Sequence, residues 1–139
     1  MCRRSEQGSV LPLVLVGLAA AAMLAVAGYD SARFALSAAR HQAAATVALH
    51  AADSGLDLFV AGVGLSEGPL AVDAPPGSAV VSVVGLVDLE DASRLVEVVS
   101  EGRMRTGAGP PVVRRLVLLV RIDDAGQRHR VHGSWRERF

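Results

Sequence analysis

His50, Asp53 and Ser54 fall within one turn of a helical stretch, the residue types of a serine hydrolase. That chemistry needs a nucleophile in reach of its base, an oxyanion site and a pocket. Nothing around these three residues supplies the last two. His129 and His132 are three apart on a predicted strand, so they face opposite sides and do not share a metal. Asp88, Glu90, Asp91, Asp123 and Asp124 would crowd one end of a sheet and offer oxygen ligands to calcium. No Asp-x-Asp-x-Asp-Gly loop organises them, and solvated turns are the plainer reading. No glycine loop of the phosphate-binding kind is present. Cys2 is the only cysteine, which excludes a disulfide scaffold and any metal site built on several thiolates. It precedes the apolar run and is not placed like a lipoprotein cysteine. No catalytic, cofactor or metal set is therefore expected.

The charges point first to pairing within the chain. All 14 basic residues are arginine, and 14 acids balance them. The balance is uneven along the chain: residues 1–29 carry +1, residues 30–101 carry −7 and residues 102–139 carry +6. An acidic middle and a basic end suit pairing between the two halves or with neighbouring copies. Nucleic acid is not the expected partner, because single-strand binding needs stacking aromatics and the basic end offers only Trp135 and Phe139. With 51% hydrophobic residues, the chain is not disordered as a whole.

The elements that carry these residues begin with an apolar run. Ser9 to Tyr29 spans 21 positions without a charge. A helix of about 20 residues crosses the ~30 Å hydrocarbon core. Pro12 lies in the first turn, where its missing N–H does little harm. Arg3 and Arg4 predict a cytoplasmic N-terminus, with the remainder of the chain facing outward. A secretory signal peptide is the competing reading, with Ala25-Val26-Ala27 as its cleavage site. The helical pattern continues past that point, against cleavage there. Ala45, Leu49, Ala52, Leu56, Phe59 and Val63 repeat at spacings of 4, 3, 4, 3 and 4, and Phe34 and Ala38 extend the stripe backward. Alanine is dense through this segment and favours helix. One helix of ~80 Å over Ser9–Val63 is expected, with Leu49, Ala52, Leu56 and Phe59 packing on a sheet. Gly55 within it fits a close approach of helix to sheet.

Glycines and prolines from Gly62 to Gly77 predict a loop. Four valine-rich strands then follow: Ser78–Val87, Arg94–Met104, Val112–Ile122 and Arg128–Trp135. Short turns between them predict an antiparallel meander. Val96, Val98 and Ser100 should share one face, and Leu95, Glu97, Val99 and Glu101 the other. Pairing around the 105–111 loop would bring Glu101 near Arg115. The expected fold is α+β, a long N-terminal helix packed on a four-stranded antiparallel sheet. Its segments are 1–8, 9–29 in the membrane, an amphipathic stem over 30–63, and a loop and sheet over 64–139.

This layout resembles the type IV pilin-like family. Arg3-Arg4-Ser5-Glu6-Gln7-Gly8-Ser9-Val10-Leu11 looks like its short basic leader. The resemblance implies cleavage between Gly8 and Ser9 by a prepilin peptidase, and methylation of the new N-terminus. Ala48-Leu49-His50-Ala51-Ala52-Asp53-Ser54-Gly55-Leu56-Asp57 looks like the stem motif of PilX-type minor pilins. The strands from Val96 to Ile122 are similar to that group's Ser-x-Gly strand and the arginine-rich valine strands after it. Most major pilins carry a glutamate at the fifth residue after the cut, and this chain has Leu13 there. In the family that glutamate is thought to offset a neighbour's N-terminal amine inside the apolar filament core. Its absence fits a minor or tip subunit, as in some type II secretion pseudopilins. The resemblance thus implies a structural subunit of pilus assembly or initiation, held in the bacterial inner membrane and later in the filament. Its partners would be other pilins or pseudopilins, met through the N-terminal helix. The alternatives are an extracytoplasmic binding module with an uncleaved signal anchor, or a small enzyme.

Overall fold

The computed structural model describes residues 10–63, 68–89, 91–107 and 109–138. Gly8 and Ser9 of the expected cleavage site lie outside the described residues, as do the rest of the leader and Glu90 of the acidic cluster. The fold is α+β, with one long N-terminal helix and an antiparallel sheet. The helix, α1, runs over Val10–Val60 without a break. It stops three residues before the expected Val63 because Gly62 adopts φ +87°. The Val63 N–H then donates to the Leu58 carbonyl at 3.0 Å, and the Gly62 N–H to the Phe59 carbonyl at 3.1 Å. A glycine in the left-handed region with these two bonds is a Schellman stop.

The chain divides into two compact units at Ala39/Arg40. The first unit holds α1 up to Ala39, and every described residue in it is exposed. From Val10 to Tyr29 it is apolar on all sides. This is a helix long and apolar enough to cross a membrane. Tyr29 and Arg33 follow, one turn apart, with the guanidinium 5.7 Å from the ring centroid.

In the second unit, α1 from Arg40 onward packs on the sheet. The strands are β1 (Leu70–Ala74), β2 (Gly77–Asp88), β3 (Arg94–Met104), β4 (Val112–Ile122), β5 (Arg128–Arg130) and β6 (Arg136–Arg138). Their order is β1-β2-β3-β4-β5, each pair antiparallel, and β6 also pairs with β4. The meander is as expected, but among the described residues the sheet has six strands and not four. The prolines read as loop are the turn of a hairpin, in which Ala74 pairs with Gly77 across Pro75-Pro76. The residues before that turn, Leu70–Ala74, form a strand that buries Val72. The last predicted strand, Arg128–Trp135, is shortened to β5, because the chain leaves the ladder between Val131 and Trp135 around Gly133 at φ +73°, and β6 follows beyond its expected end. The Ser134 hydroxyl repairs that gap. It accepts the Leu119 N–H at 3.1 Å and donates to the Val131 carbonyl at 2.7 Å.

The core lies between α1 and the facing side of β1–β4. Val96 and Val98 of β3 meet Val120 and Leu118 of β4 across the ladder. These four are buried together with Val81, Leu116, Leu56 and Phe59. The alternation on β3 is the expected one: Val96, Val98, Ser100 and Gly102 are buried, and the residues between them are half-exposed. Glu101 stands opposite Arg115 in the ladder, with the Arg115 Nε 2.7 Å from its carboxylate.

The buried stripe of the helix is shifted from the expected one. It comprises Ala44, Ala48, Ala51, Ala52, Gly55, Leu56 and Phe59. Ala45 is only half-buried, while Val63 and Phe34 are exposed. Small residues occupy most of the contact, so the centre of the face does not coincide with the larger side chains that mark periodicity.

Candidate functional site

The residues with catalytic potential are committed to local structure. The Ser54 hydroxyl donates to the His50 carbonyl one turn back, at 2.9 Å, as a helical serine does. Both residues are exposed on the helix surface. His129 leaves β5 toward Asp123, with 3.3 Å between Nε2 and Oδ2, and His132 lies beyond the end of that strand. Three of the acids expected to crowd one end of the sheet, Asp88, Asp91 and Asp123, have cationic or backbone partners. Asp88 pairs with Arg94 at 3.2 Å. Asp91 accepts from the Ser93 hydroxyl and N–H and pairs with Arg121. Those Ser93 bonds, followed by the Arg121 charge, hold its carboxyl below the usual range. Asp123 accepts the Gln127 N–H at 2.6 Å and closes a turn. No group of three metal-ligating side chains forms among the described residues.

The more informative geometry is the seat of the helix. Ala52, Leu56 and Phe59 are each at most 2% exposed, and Leu49 is half-buried at the margin of the same core. The helix backbone rests directly on β3. A methyl group built on Gly102 would lie 1.8 Å from the Ala48 carbonyl oxygen and 2.7 Å from the Ala52 nitrogen. One built on Gly55 would lie 2.7 Å from the Ser100 hydroxyl and 2.8 Å from a Val81 methyl. Gly55 and Gly102 thus remove side chains from both surfaces at the closest approach. The Ser100 hydroxyl is fully buried there, and no partner for it is found among the described residues. Its small side chain fits a contact where valine would collide.

Strand β5 locks the end of the stem. Arg128 lies over the Phe59 ring, 4.4 Å from the centroid, and its Nη1 donates to the Phe59 carbonyl at 2.6 Å. A cation against the last carbonyls of a helix is favoured by the dipole, and its stacking on the ring adds a cation–π term. Arg130 pairs with Asp57, two residues before Phe59. Sequence reasoning put Ser100 on one face of β3 with Val96 and Val98 and read a close approach at Gly55, but it missed Gly102 and Arg128, because each acts across long sequence separation.

On the other face of the sheet, the acidic middle of the chain meets its basic end. Glu101 takes Arg115 at 2.7 Å and Arg103 at 2.6 Å. The Arg115 hydrogen bond, then that of Arg103, holds its carboxyl below the ordinary 4.5. Glu97 lies 3.8 Å from Arg136 and 4.0 Å from Arg138. These pairs consume much of the charge asymmetry inside one chain, as cross-strand pairing allows.

In the first unit, Leu13 is 76% exposed on a helix whose neighbours Val10, Leu11, Val14, Leu15 and Val16 are exposed as well. The position offers an apolar side chain among apolar neighbours. Comparison with known proteins finds no matching family model, no similar curated protein and no similar solved structure.

Proposed function

We propose that this chain is a minor pilin or pseudopilin, a structural subunit that enters or primes a type IV pilus-like filament. The observation that carries the reading is one uninterrupted helix with two different surfaces. From Val10 to Tyr29 it is apolar all round and unburied, and from Ala44 to Phe59 it is built into a folded domain. A helix of this kind can rest in a bilayer and later exchange lipid for the equivalent helices of other subunits. The same domain travels with it in both states. The basic leader before the helix, ending in Gly8, supports processing by a prepilin peptidase. It also supports an inner-membrane orientation with the N-terminus cytoplasmic and the sheet domain outside.

Leu13 supports a minor or tip position. Burying an unpaired charge costs several kcal/mol, so in a filament core each new N-terminal amine needs a carboxylate from a neighbour. A subunit with leucine at this position does not supply one, whereas at the tip none is required. Deletion of the gene is therefore expected to lower filament number more than filament length, because initiation fails while elongation survives. In immunogold labelling, wild-type protein should appear at filament ends, and Leu13→Glu should spread label along the shafts. Dense shaft labelling by the wild-type protein would remove Leu13 as the determinant of position.

A further inference from the structure

The apolar run of α1 ends on polar groups that the chain itself leaves unmatched. Tyr29, Asp30 and Arg33 stand at its end, within about one helical turn of one another, and all three are exposed. Asp30 is the first charge after the run and Arg33 the first cation. Helical side chains lean toward the N-terminus. The Arg33 guanidinium accordingly turns back over the Tyr29 ring, 5.7 Å from its centroid. Its charge therefore lies level with the last residues of the run, not a turn beyond them. Asp30 is three residues before Arg33, a spacing that puts Cβ atoms about 5–6 Å apart. Yet the two form no ion pair. Among the described residues neither has a charged partner, and the Tyr29 hydroxyl has no hydrogen-bond partner. Residues 10–29 make about 30 Å of helix, the thickness of the hydrocarbon core. On the membrane-spanning reading proposed above, on which this inference rests, the three side chains stand where the outer leaflet's headgroups begin.

We infer that Tyr29, Asp30 and Arg33 bind the headgroup of a zwitterionic aminophospholipid, phosphatidylethanolamine. The lipid phosphate accepts hydrogen bonds from the Arg33 guanidinium and the Tyr29 hydroxyl. Arginine's fork of donors matches phosphate, and the contact is charge-assisted. The lipid ammonium donates to the Asp30 carboxylate. Only an oxygen and two carbons separate phosphorus from nitrogen in this headgroup, a reach that suits an aspartate and an arginine one turn apart. Charge selects this lipid over the others. Phosphatidylglycerol would bring its phosphate beside Asp30 and offer the carboxylate no cation. Phosphatidylcholine carries the positive charge but has no N–H to donate. An arginine alone would accept any phospholipid, and the unpaired Asp30 makes the site selective.

The test uses the full chain in bilayer nanodiscs made from equal parts of phosphatidylethanolamine, phosphatidylcholine and phosphatidylglycerol. Native mass spectrometry of the released protein should show phosphatidylethanolamine retained in preference to the other two. Arg33→Gln should lower that retention about tenfold, as loss of one charge-assisted hydrogen bond does. Asp30→Asn should keep phospholipid binding but abolish the preference over phosphatidylglycerol. Both side chains are exposed, so circular dichroism of the two variants should match the wild type. Equal retention of the three lipids by the wild type, or a preference untouched by Asp30→Asn, would overturn the inference. Alkaline carbonate extraction of the wild-type chain from vesicles tests the span separately. A chain that resists extraction but does not select phosphatidylethanolamine loses the headgroup site alone. A chain that washes off loses the membrane span as well.

Discussion

Gly102→Ala is expected to destabilise the fragment 40–139 by about 3 kcal/mol or more, at the upper end of what overpacking a core costs. The added methyl would sit 1.8 Å from the Ala48 carbonyl oxygen, well inside van der Waals contact. Its neighbours are backbone atoms of α1, so no rotamer change can relieve the overlap, and the helix as a whole must lift from β3. Ala48→Gly should not rescue the variant, because the obstructing atom is a carbonyl oxygen and not the Ala48 side chain. Gly109→Ala is the control, since nothing lies within 4 Å of a methyl built there. For a domain of this size the loss is a fall in melting temperature of roughly 12 °C or more. Equal midpoints for the Gly102 and Gly109 variants would mean that the helix does not sit on β3 as closely as described.

Phe59→Ala should cost about 3–5 kcal/mol in the same fragment, the range for truncating a large buried aromatic. Phe59 is 2% exposed and belongs to the cluster formed by Leu56, Val96, Val98, Leu118 and Val120. Its loss leaves a cavity and also removes the ring beneath Arg128. Phe59→Leu keeps most of the apolar volume and should recover more than half of the loss. The hydrogen bond from Arg128 to the Phe59 carbonyl does not involve the ring and should persist in both variants. Urea unfolding curves measure the effect, with an unchanged slope showing that the denatured state is the same. A midpoint unmoved by Phe59→Ala would place the stem's apolar face against something other than its own sheet.

What could be read from the sequence follows from the range of each interaction. The helix was legible because alanine density, the absence of proline after Pro12 and an unbroken apolar run are all local. The register of β3 against β4 was legible too, since the loop between them is short and Glu101 and Arg115 carry opposite charge. The buried stripe was misplaced toward Ala45 and Val63, because periodicity is marked by large side chains. At this seat the contact is made by Ala44, Ala48, Ala51 and Gly55, and it is set by Gly102 some fifty residues away. β1 was hidden because Pro75, Pro76 and Gly77 signal a break, and the same residues serve as a tight reversal between paired strands. The early end of the last predicted strand was hidden for the opposite reason. Gly133 is the one break signal in an otherwise β-like run, and Ser134 bridges the ladder across the gap. The proposed processing residues Gly8 and Ser9 rest on resemblance alone, and they lie outside the described residues.

The central claim is that the apolar helix is a subunit's assembly surface, exposed by removal of a leader. Its most direct test is the mass of the N-terminal peptide from the chain extracted from membranes of cells with an intact prepilin peptidase. Cleavage after Gly8 predicts a peptide that begins at Ser9, and Gly8→Asp should restore the full leader. An N-terminus that retains Arg3 and Arg4 in the wild-type protein would contradict the claim and leave a permanently anchored domain in its place.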